Sequence, residues 1–163
     1  MKTIIIIRHA KSAWNDIRIS DFDRTLDARG WRDAPLMALR LKDAGHYPQM
    51  IISSSAVRAK TTAQFFADAY GLEVHETKDL YHGDPQDYLD KINVLDENIK
   101  CIALFGHNPG ITYLANEIQM GCTDNIPTCG IIVATMPDLP WSKADWSQMN
   151  LETLMFPKYY THD

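Results

Sequence analysis

Along the chain, short runs of apolar residues alternate with longer stretches in which apolar residues recur at helical spacing. Residues 4–7 are four consecutive isoleucines, which is typical of a central parallel strand buried on both faces. Similar runs predict strands at residues 50–52, 72–75, 101–105 and 131–134, with an edge strand at 151–156.

The stretches between these runs predict four helices, at residues 36–44, 57–70, 85–95 and 109–120. Gly45 would end the first helix, and Pro35 would break this stretch or lie near its start. The serines at 53–55 would cap the second helix, while Pro85 and Pro109 suit the first turns of the third and fourth.

Strands that alternate with helices predict an α/β fold with a mostly parallel sheet and helices on both of its faces. With 163 residues the chain has the length of one domain, so we expect a single domain over residues 1–163. The aromatic and methionine residues near the C-terminus could form a partner surface, but we expect them to complete the core. They are Trp141, Trp146, Met149, Met155, Phe156, Tyr159 and Tyr160.

Composition narrows the class of protein. An apolar content of 45% fits a globular protein with a sizeable core, and a net charge of -5 argues against nucleic-acid binding. Three cysteines without a C-x-x-C pair indicate reduced thiols and a cytoplasmic protein. The N-terminal apolar run is too short for a membrane segment, so we expect no membrane association. We also expect a monomer.

Histidine and arginine residues follow three of the predicted strands. Arg8-His9 follows the first strand, Arg58 lies just after the second, and Gly106-His107-Asn108 follows the fourth. Ligands of open α/β sheets bind beyond the carboxyl ends of the strands. Arginine forks match phosphate oxygens and histidine can act as a nucleophile, so this set favours phosphoryl transfer. Any one of these residues alone would be interpreted as an ordinary surface or turn residue.

Three motifs resemble those of the histidine phosphatase superfamily, also called phosphoglycerate-mutase-like. Arg8-His9-Ala10 resembles its R-H-G/A tripeptide, residues 53–62 resemble its S-S-x-x-x-R-A-x-x-T segment, and residues 106–110 resemble its G-H-N-P-G motif. With Lys11-Ser12 and the Asp23-Arg24-x-Leu26-x-x-Arg29-Gly30 segment, they are similar to the SixA-type phosphohistidine phosphatase branch.

The resemblance implies an enzyme that needs no metal and no cofactor. It makes His9 the nucleophile that carries a transient phosphoryl group, while Arg8, Arg58 and a protonated His107 hold the phosphoryl oxygens. Ser12, Asn15 and Asn108 would bind substrate, and Asn15 is placed by a mutase-like R-H-x-x-S-x-x-N pattern.

Many members of the superfamily carry a glutamate general acid after the third strand, and residues 77–87 contain none. Asp79, His82 and Asp84 are the candidate substitutes, although Asp79 could be a solvated charge and Asp84 a helix cap. An alkoxide leaves with difficulty without an acid, whereas the imidazole of phosphohistidine can leave neutral. This favours a phosphohistidine phosphatase acting on a phosphorelay or carrier protein. The alternatives are a phosphomonoesterase acting on sugar phosphates or nucleotides, and an inactive phosphate-binding module.

Overall fold

The computed structural model describes residues 1–159, which contain one six-stranded sheet and four α-helices. The strands are β1 Lys2–Arg8, β2 Met50–Ser54, β3 Val74–Thr77, β4 Cys101–Gly106, β5 Ile131–Met136 and β6 Asn150–Met155. The helices are α1 Ala28–Asp43, α2 Val57–Tyr70, α3 Pro85–Asn93 and α4 Gly110–Ile118.

The strand order is β3-β2-β4-β1-β5-β6, so the isoleucine-rich first strand lies inside the sheet. The pairs β2–β3, β2–β4 and β1–β4 are parallel, whereas β5 is antiparallel to both β1 and β6. The predicted mostly parallel α/β sheet is therefore confirmed, and β6 is the edge strand that the sequence predicts.

The two faces of the sheet are covered by different pairs of helices. Ile4 and Ile6 of β1 belong to the apolar cluster that includes α3 and α4, whereas Ile5 and Ile7 belong to the cluster that includes α1 and α2. This follows from the period of two along a strand, and it explains why all four isoleucines are fully buried.

Helix α1 begins much earlier than its apolar spacing predicts. The Asp27 side chain accepts a hydrogen bond from the Gly30 amide at 2.9 Å, which caps a helix that starts at Ala28. Pro35 therefore lies inside the helix, and the prediction that it breaks or starts this element is wrong. A proline cannot donate to the carbonyl four residues before it, here that of Trp31, whose half-exposed position is open to water.

Helix α2 has the predicted limits but not the predicted cap. Its N-cap is Ala56, whose side chain cannot accept a hydrogen bond, and the Ser54 hydroxyl, two residues earlier, accepts from the Ala56 amide and not from the first turn of the helix. At its other end Gly71 is left-handed, with φ of 70°, and the Leu72 amide bonds back to Ala67. Leu72 is thus part of the helix end, and β3 starts at Val74, two residues later than predicted.

The C-terminal segment completes the core as far as the structure describes it. Trp141, Trp146, Met149, Met155 and Phe156 are all buried. Tyr160, the last of the predicted core residues, and the end of the predicted domain lie outside the described residues. Within residues 1–159, no helix is long and apolar enough to cross a membrane.

Candidate active site

The carboxyl ends of β1, β4 and β2 bring the three predicted clusters together. Arg8 of β1 is opposite Gly106 of β4, so His9 and His107 follow on adjacent strands, with ring centroids 5.1 Å apart. Arg58 reaches the same place from the first turn of α2. The pocket between them has a volume of about 300 Å³. It is lined by Arg8, His9, Lys11, Ser12, Trp14, Asp21, Arg24, Arg58, Tyr81, His82, His107, Asn108 and Thr128.

His9 is buried, and its ring is held in one orientation. Its Nδ1 lies 2.7 Å from the Ala10 carbonyl, which can only accept, so Nδ1 carries the hydrogen and Nε2 has the free lone pair. Burial, together with the positive charges of Arg58 and Arg8, lowers the pKa of His9 well below its ordinary value. The ring is therefore neutral near pH 7, which is the form that can attack phosphorus.

Arg58 contacts His9 and is anchored by Asp21. Its Nε donates to His9 Nε2 at 3.4 Å, while Nη1 donates to the Asp21 carbonyl at 2.5 Å and Nη2 pairs with the Asp21 carboxylate at 3.0 Å. Arg8 donates from Nη1 to the Ile126 carbonyl at 2.9 Å. Its buried Nε has no hydrogen-bond partner among residues 1–159, so this donor is available to a ligand.

His107, which also lines the pocket, has a second such atom. Its Nε2 lies 2.7 Å from the Ser54 hydroxyl, its backbone amide donates to the Tyr88 hydroxyl at 3.1 Å, and its buried Nδ1 has no partner within the described chain. Burial, with the Arg58 charge adding to it, lowers the pKa of His107 to about 3. His107 is thus neutral near pH 7, whereas the resemblance implies a protonated residue.

The three residues that the resemblance assigns to substrate binding differ in their placement. Ser12 lines the pocket, where its hydroxyl accepts a hydrogen bond from Arg24. Asn108 also lines it, but its side chain bonds the Ile126 carbonyl at 2.9 Å and the Thr112 hydroxyl at 2.9 Å, so it holds the adjoining loop and α4. Asn15 is exposed and lies outside the set of residues that line the pocket.

Of the three candidate acids, His82 alone lines this pocket, with its ring centroid 4.1 Å from that of Tyr81. Asp79 is exposed and bonds Lys91 at 2.5 Å. Asp84 accepts from the Asp87 amide at 3.1 Å in a reciprocal capping box at the start of α3. Two of the candidates therefore have the structural roles that the sequence offered as alternatives.

Sequence reasoning assigned no role to Asp21, which is the centre of the charged network. Its carboxylate pairs with Arg58 at 3.0 Å and Arg24 at 3.1 Å, and it accepts from the Tyr81 hydroxyl at 2.5 Å. Burial favours a higher pKa, but these partners outweigh it and lower the pKa of Asp21. The signal available was an acidic residue three positions before Arg24, but it lies just outside the Asp23–Gly30 segment on which the resemblance rests.

Arg24 and Trp14 form the outer part of the pocket wall. The guanidinium of Arg24 lies 3.4 Å from the Trp14 ring centroid, and Trp14 remains 69% exposed, so its ring stands at the pocket mouth. A larger groove of about 650 Å³, between α2 and β3, holds none of the predicted site residues. The described residues contain no cluster of three or more potential metal ligands.

The fold and the pocket define a phosphoryl-transfer protein, and comparison with known proteins gives the family. The profile described as histidine phosphatase superfamily (branch 1) matches residues 4–89. The chain belongs to this superfamily. An uncharacterised protein of Mycobacterium tuberculosis is 34% identical over 138 residues, which are 78% of this chain and 85% of that protein.

Solved structures agree with the SixA-type resemblance. The candidate phosphohistidine phosphatase SixA of Agrobacterium tumefaciens is 25% identical, with a TM-score of 0.83 over 96% of this chain and 98% of that one. A mycobacterial glucosyl-3-phosphoglycerate phosphatase shares the fold at 14% identity, with a TM-score of 0.69 over 95% and 97% of the two chains. The fold thus hosts phosphatases of different substrates.

Proposed function

We propose that the protein is a phosphohistidine phosphatase. His9 Nε2 attacks phosphorus, the bond from phosphorus to the substrate imidazole breaks, and the electron pair leaves on that imidazole nitrogen. Water then attacks the phosphoryl group on His9, the P–Nε2 bond breaks, the pair returns to His9, and both hydrogens of the water leave with the released phosphate. Arg8, Arg58 and His107 hold the equatorial oxygens, which carry the developing charge in both steps. Ser12 at the pocket wall supports the positioning of Arg24.

The observation that carries this proposal is the lack of an available carboxylic acid beside His9. Of the described residues that line the pocket, Asp21 alone has a carboxyl group, and its ion pairs and lowered pKa keep it deprotonated. An alkoxide leaving group needs a proton, whereas an imidazole that already carries a proton on its other nitrogen leaves as a neutral molecule. A phosphorylated histidine on a carrier or phosphorelay protein therefore suits this pocket better than an ordinary ester.

A small-molecule phosphomonoesterase is the second candidate, and the position of His82 favours it. His82 lines the pocket and could supply the proton that an alcohol leaving group requires. The mycobacterial glucosyl-3-phosphoglycerate phosphatase that shares this fold shows that the fold hosts ester cleavage. If esters are the substrate, His82→Gln would slow ester hydrolysis by at least about a hundredfold, the lower end of the range expected for a general acid.

The experiment measures phosphate release from a phosphohistidine-bearing protein and from a chromogenic phosphomonoester, with the wild type, His9→Ala and His75→Ala. His75 is an exposed histidine on β3 and serves as the matched control. We expect fast release from phosphohistidine, weak release from the ester, loss of both in His9→Ala and no change in His75→Ala. Efficient ester cleavage without action on phosphohistidine would overturn the substrate assignment, and activity retained in His9→Ala would overturn the nucleophile.

A further inference from the structure

Ser54 is a fully buried serine at the last position of β2, and its hydroxyl oxygen lies 2.7 Å from His107 Nε2. The distance fits a hydrogen bond in either direction, because a serine hydroxyl donates one hydrogen and accepts others. The direction decides which nitrogen of a neutral His107 carries the hydrogen, and hence what His107 offers to the pocket.

The other contacts of Ser54 settle the direction. Its oxygen already accepts the Ala56 amide hydrogen at 3.2 Å, so one lone pair is used. Within residues 1–159 the hydroxyl has no other hydrogen-bond partner than Ala56 and His107. If Nε2 donated to this oxygen, the hydroxyl hydrogen of a fully buried side chain would have no acceptor. Such an unpaired buried group costs about 1–3 kcal/mol.

The other ring nitrogen of His107 gives an independent indication. His107 lines the pocket, and its Nδ1 is buried and has no partner among the described residues. A bare lone pair there would repel the oxygens of a phosphoryl group, whereas an N–H would donate to them. Both ends of the imidazole thus favour a hydrogen on Nδ1.

We propose that Ser54 is a positioning residue that donates its hydroxyl hydrogen to His107 Nε2 and so holds His107 as the Nδ1–H tautomer, whose N–H binds a phosphoryl oxygen. His107 can then act as a donor without first gaining a proton. The role in turnover rests on the proposed phosphoryl transfer, but the tautomer is a property of the free protein.

The first test is the ¹⁵N NMR spectrum of wild-type protein near pH 7.5, in which the two ring nitrogens of His107 are distinguished by whether they carry a hydrogen. We expect the hydrogen on Nδ1 and a bare, hydrogen-bonded Nε2. A hydrogen on Nε2 would overturn the proposal. This measurement uses no variant and no substrate, so it stands even if the protein proves to cleave something other than phosphohistidine.

The second test compares Ser54→Ala and Ser54→Thr with Ser53→Ala. Ser53 is the matched control, since it is equally buried but its hydroxyl donates to the Ser54 carbonyl and not to His107. We expect kcat/KM for the phosphorylated substrate to fall about tenfold in Ser54→Ala, the lower end of what removing the support of a site histidine costs. Ser54→Thr keeps a hydroxyl and should recover part of the loss, and Ser53→Ala should resemble the wild type.

The pH dependence separates positioning from a purely structural role. When His107 gains a proton, both nitrogens become donors and Ser54 is no longer needed to fix the tautomer. Because the pKa of His107 is about 3, the deficit of Ser54→Ala should stay constant from pH 9 to 6 and shrink only as the pH approaches 3. The groups that face His107 and shape this profile are Arg8, His9, Asp21, Arg58, Tyr81, His82 and Tyr88.

Two outcomes would overturn the role in turnover. One is a Ser54→Ala enzyme as active as Ser53→Ala, and the other is a deficit that already shrinks between pH 9 and 6, where His107 stays neutral. An Nδ1–H signal in a wild type that releases no phosphate from any phosphorylated substrate would refute the proposed function and leave the tautomer established. If Ser54→Ala does not fold, Ser54→Cys replaces it, because a thiol fills the space but donates weakly.

Discussion

At the end of β1, the imidazole of His9 lies between the Ala10 carbonyl and the Arg58 guanidinium. The carbonyl fixes the tautomer of His9. The Nε of Arg58 lies 3.4 Å from His9 Nε2, the nitrogen that attacks in the proposed reaction, and a phosphoryl oxygen bound there would replace this contact. The Nε of Arg58 is held in this place because the Nη atoms of the same guanidinium bond Asp21. Asp21 thus fixes the orientation of Arg58, and this is its part in the proposed reaction.

A lysine at position 58 would test this orientation. Arg58→Lys keeps a positive charge but loses the fork, so it cannot bind Asp21 and donate toward the His9 ring together. We expect kcat/KM to fall by about two orders of magnitude, the size of losing one oriented donor to the developing charge.

Arg18→Lys is the matched control for this substitution. Arg18 forms a similar forked pair with Asp16, with both contacts at 3.0 Å, on the exposed surface. Exposed pairs contribute little, so this variant should keep wild-type activity and stability. Comparable losses in both variants would show that the Asp21 contact does not orient Arg58 for the reaction.

Helix α3 supports the strand end that carries His107. Tyr88 of α3 is fully buried, and its hydroxyl accepts from the His107 amide at 3.1 Å. A Cβ on Gly106, the last residue of β4, would lie 1.9 Å from the same hydroxyl. The absence of a side chain at Gly106 is therefore what lets the tyrosine reach the backbone beside the site.

This arrangement predicts coupling between two substitutions. Gly106→Ala forces a clash and should lower the free energy of unfolding by about 1–3 kcal/mol. Tyr88→Phe leaves the His107 amide without its acceptor and should cost about 1–3 kcal/mol. In the double variant the hydroxyl is gone and the added methyl has more room, so denaturant unfolding should show a loss at least 1 kcal/mol smaller than the sum, a typical coupling energy for residues in contact. The control combines Gly106→Ala with Tyr47→Phe, at an exposed tyrosine, and there the two losses of unfolding free energy should simply add. If the losses of Gly106→Ala and Tyr88→Phe also add, the steric explanation is contradicted.

The elements that position the site were predictable because local patterns define them. The runs before Arg8, Ser53 and Gly106 are strands in the structure, and the topology of a parallel sheet brings their carboxyl ends together. The start of α1 was missed because its first turns are polar and Asp27 signals the helix by a cap, not by apolar spacing.

The Asp21 network was missed for a different reason. Asp21 and Arg58 are separated by 37 positions and lie on unrelated elements, so no period or spacing links them. Their contact depends on how residues 13–25 fold back, with the Ala13 amide bonded to the Thr25 carbonyl at 2.9 Å. Hydrogen-bond direction and burial around His107 likewise depend on atoms from β2, α2 and α3 that only the folded chain brings together.

Considered as a whole, the molecule is acidic, yet its pocket collects arginines and two histidines that burial keeps neutral. Those histidines link stability to pH. In the unfolded chain each binds a proton below about pH 6.5. In the folded chain His107 does so only near 3, and the pKa of His9 is also lowered. The unfolded state therefore binds more protons across this window.

We expect the free energy of unfolding to be constant near pH 7 and to fall as the pH drops from 6.5 toward 4, by on the order of 1 kcal/mol per pH unit for each of the two histidines. Carboxylates with lowered pKa values, such as Asp21 and Glu97, add to this loss below about pH 4. Urea unfolding at several pH values measures the slope. His107→Gln should make it shallower, and a stability that rises on acidification over this range would contradict the assigned protonation states.

The position of β1 inside the sheet has a consequence for how the chain is made. This strand is synthesised first, but it pairs with β4 at residues 101–106 and with β5 at residues 131–136. Until those residues leave the ribosome, four isoleucines have no sheet neighbours to cover their edges, and contacts so distant in sequence form slowly. The nascent protein must therefore keep this apolar segment apart from other chains until β5 has been made, and the pocket around His9 assembles only after that.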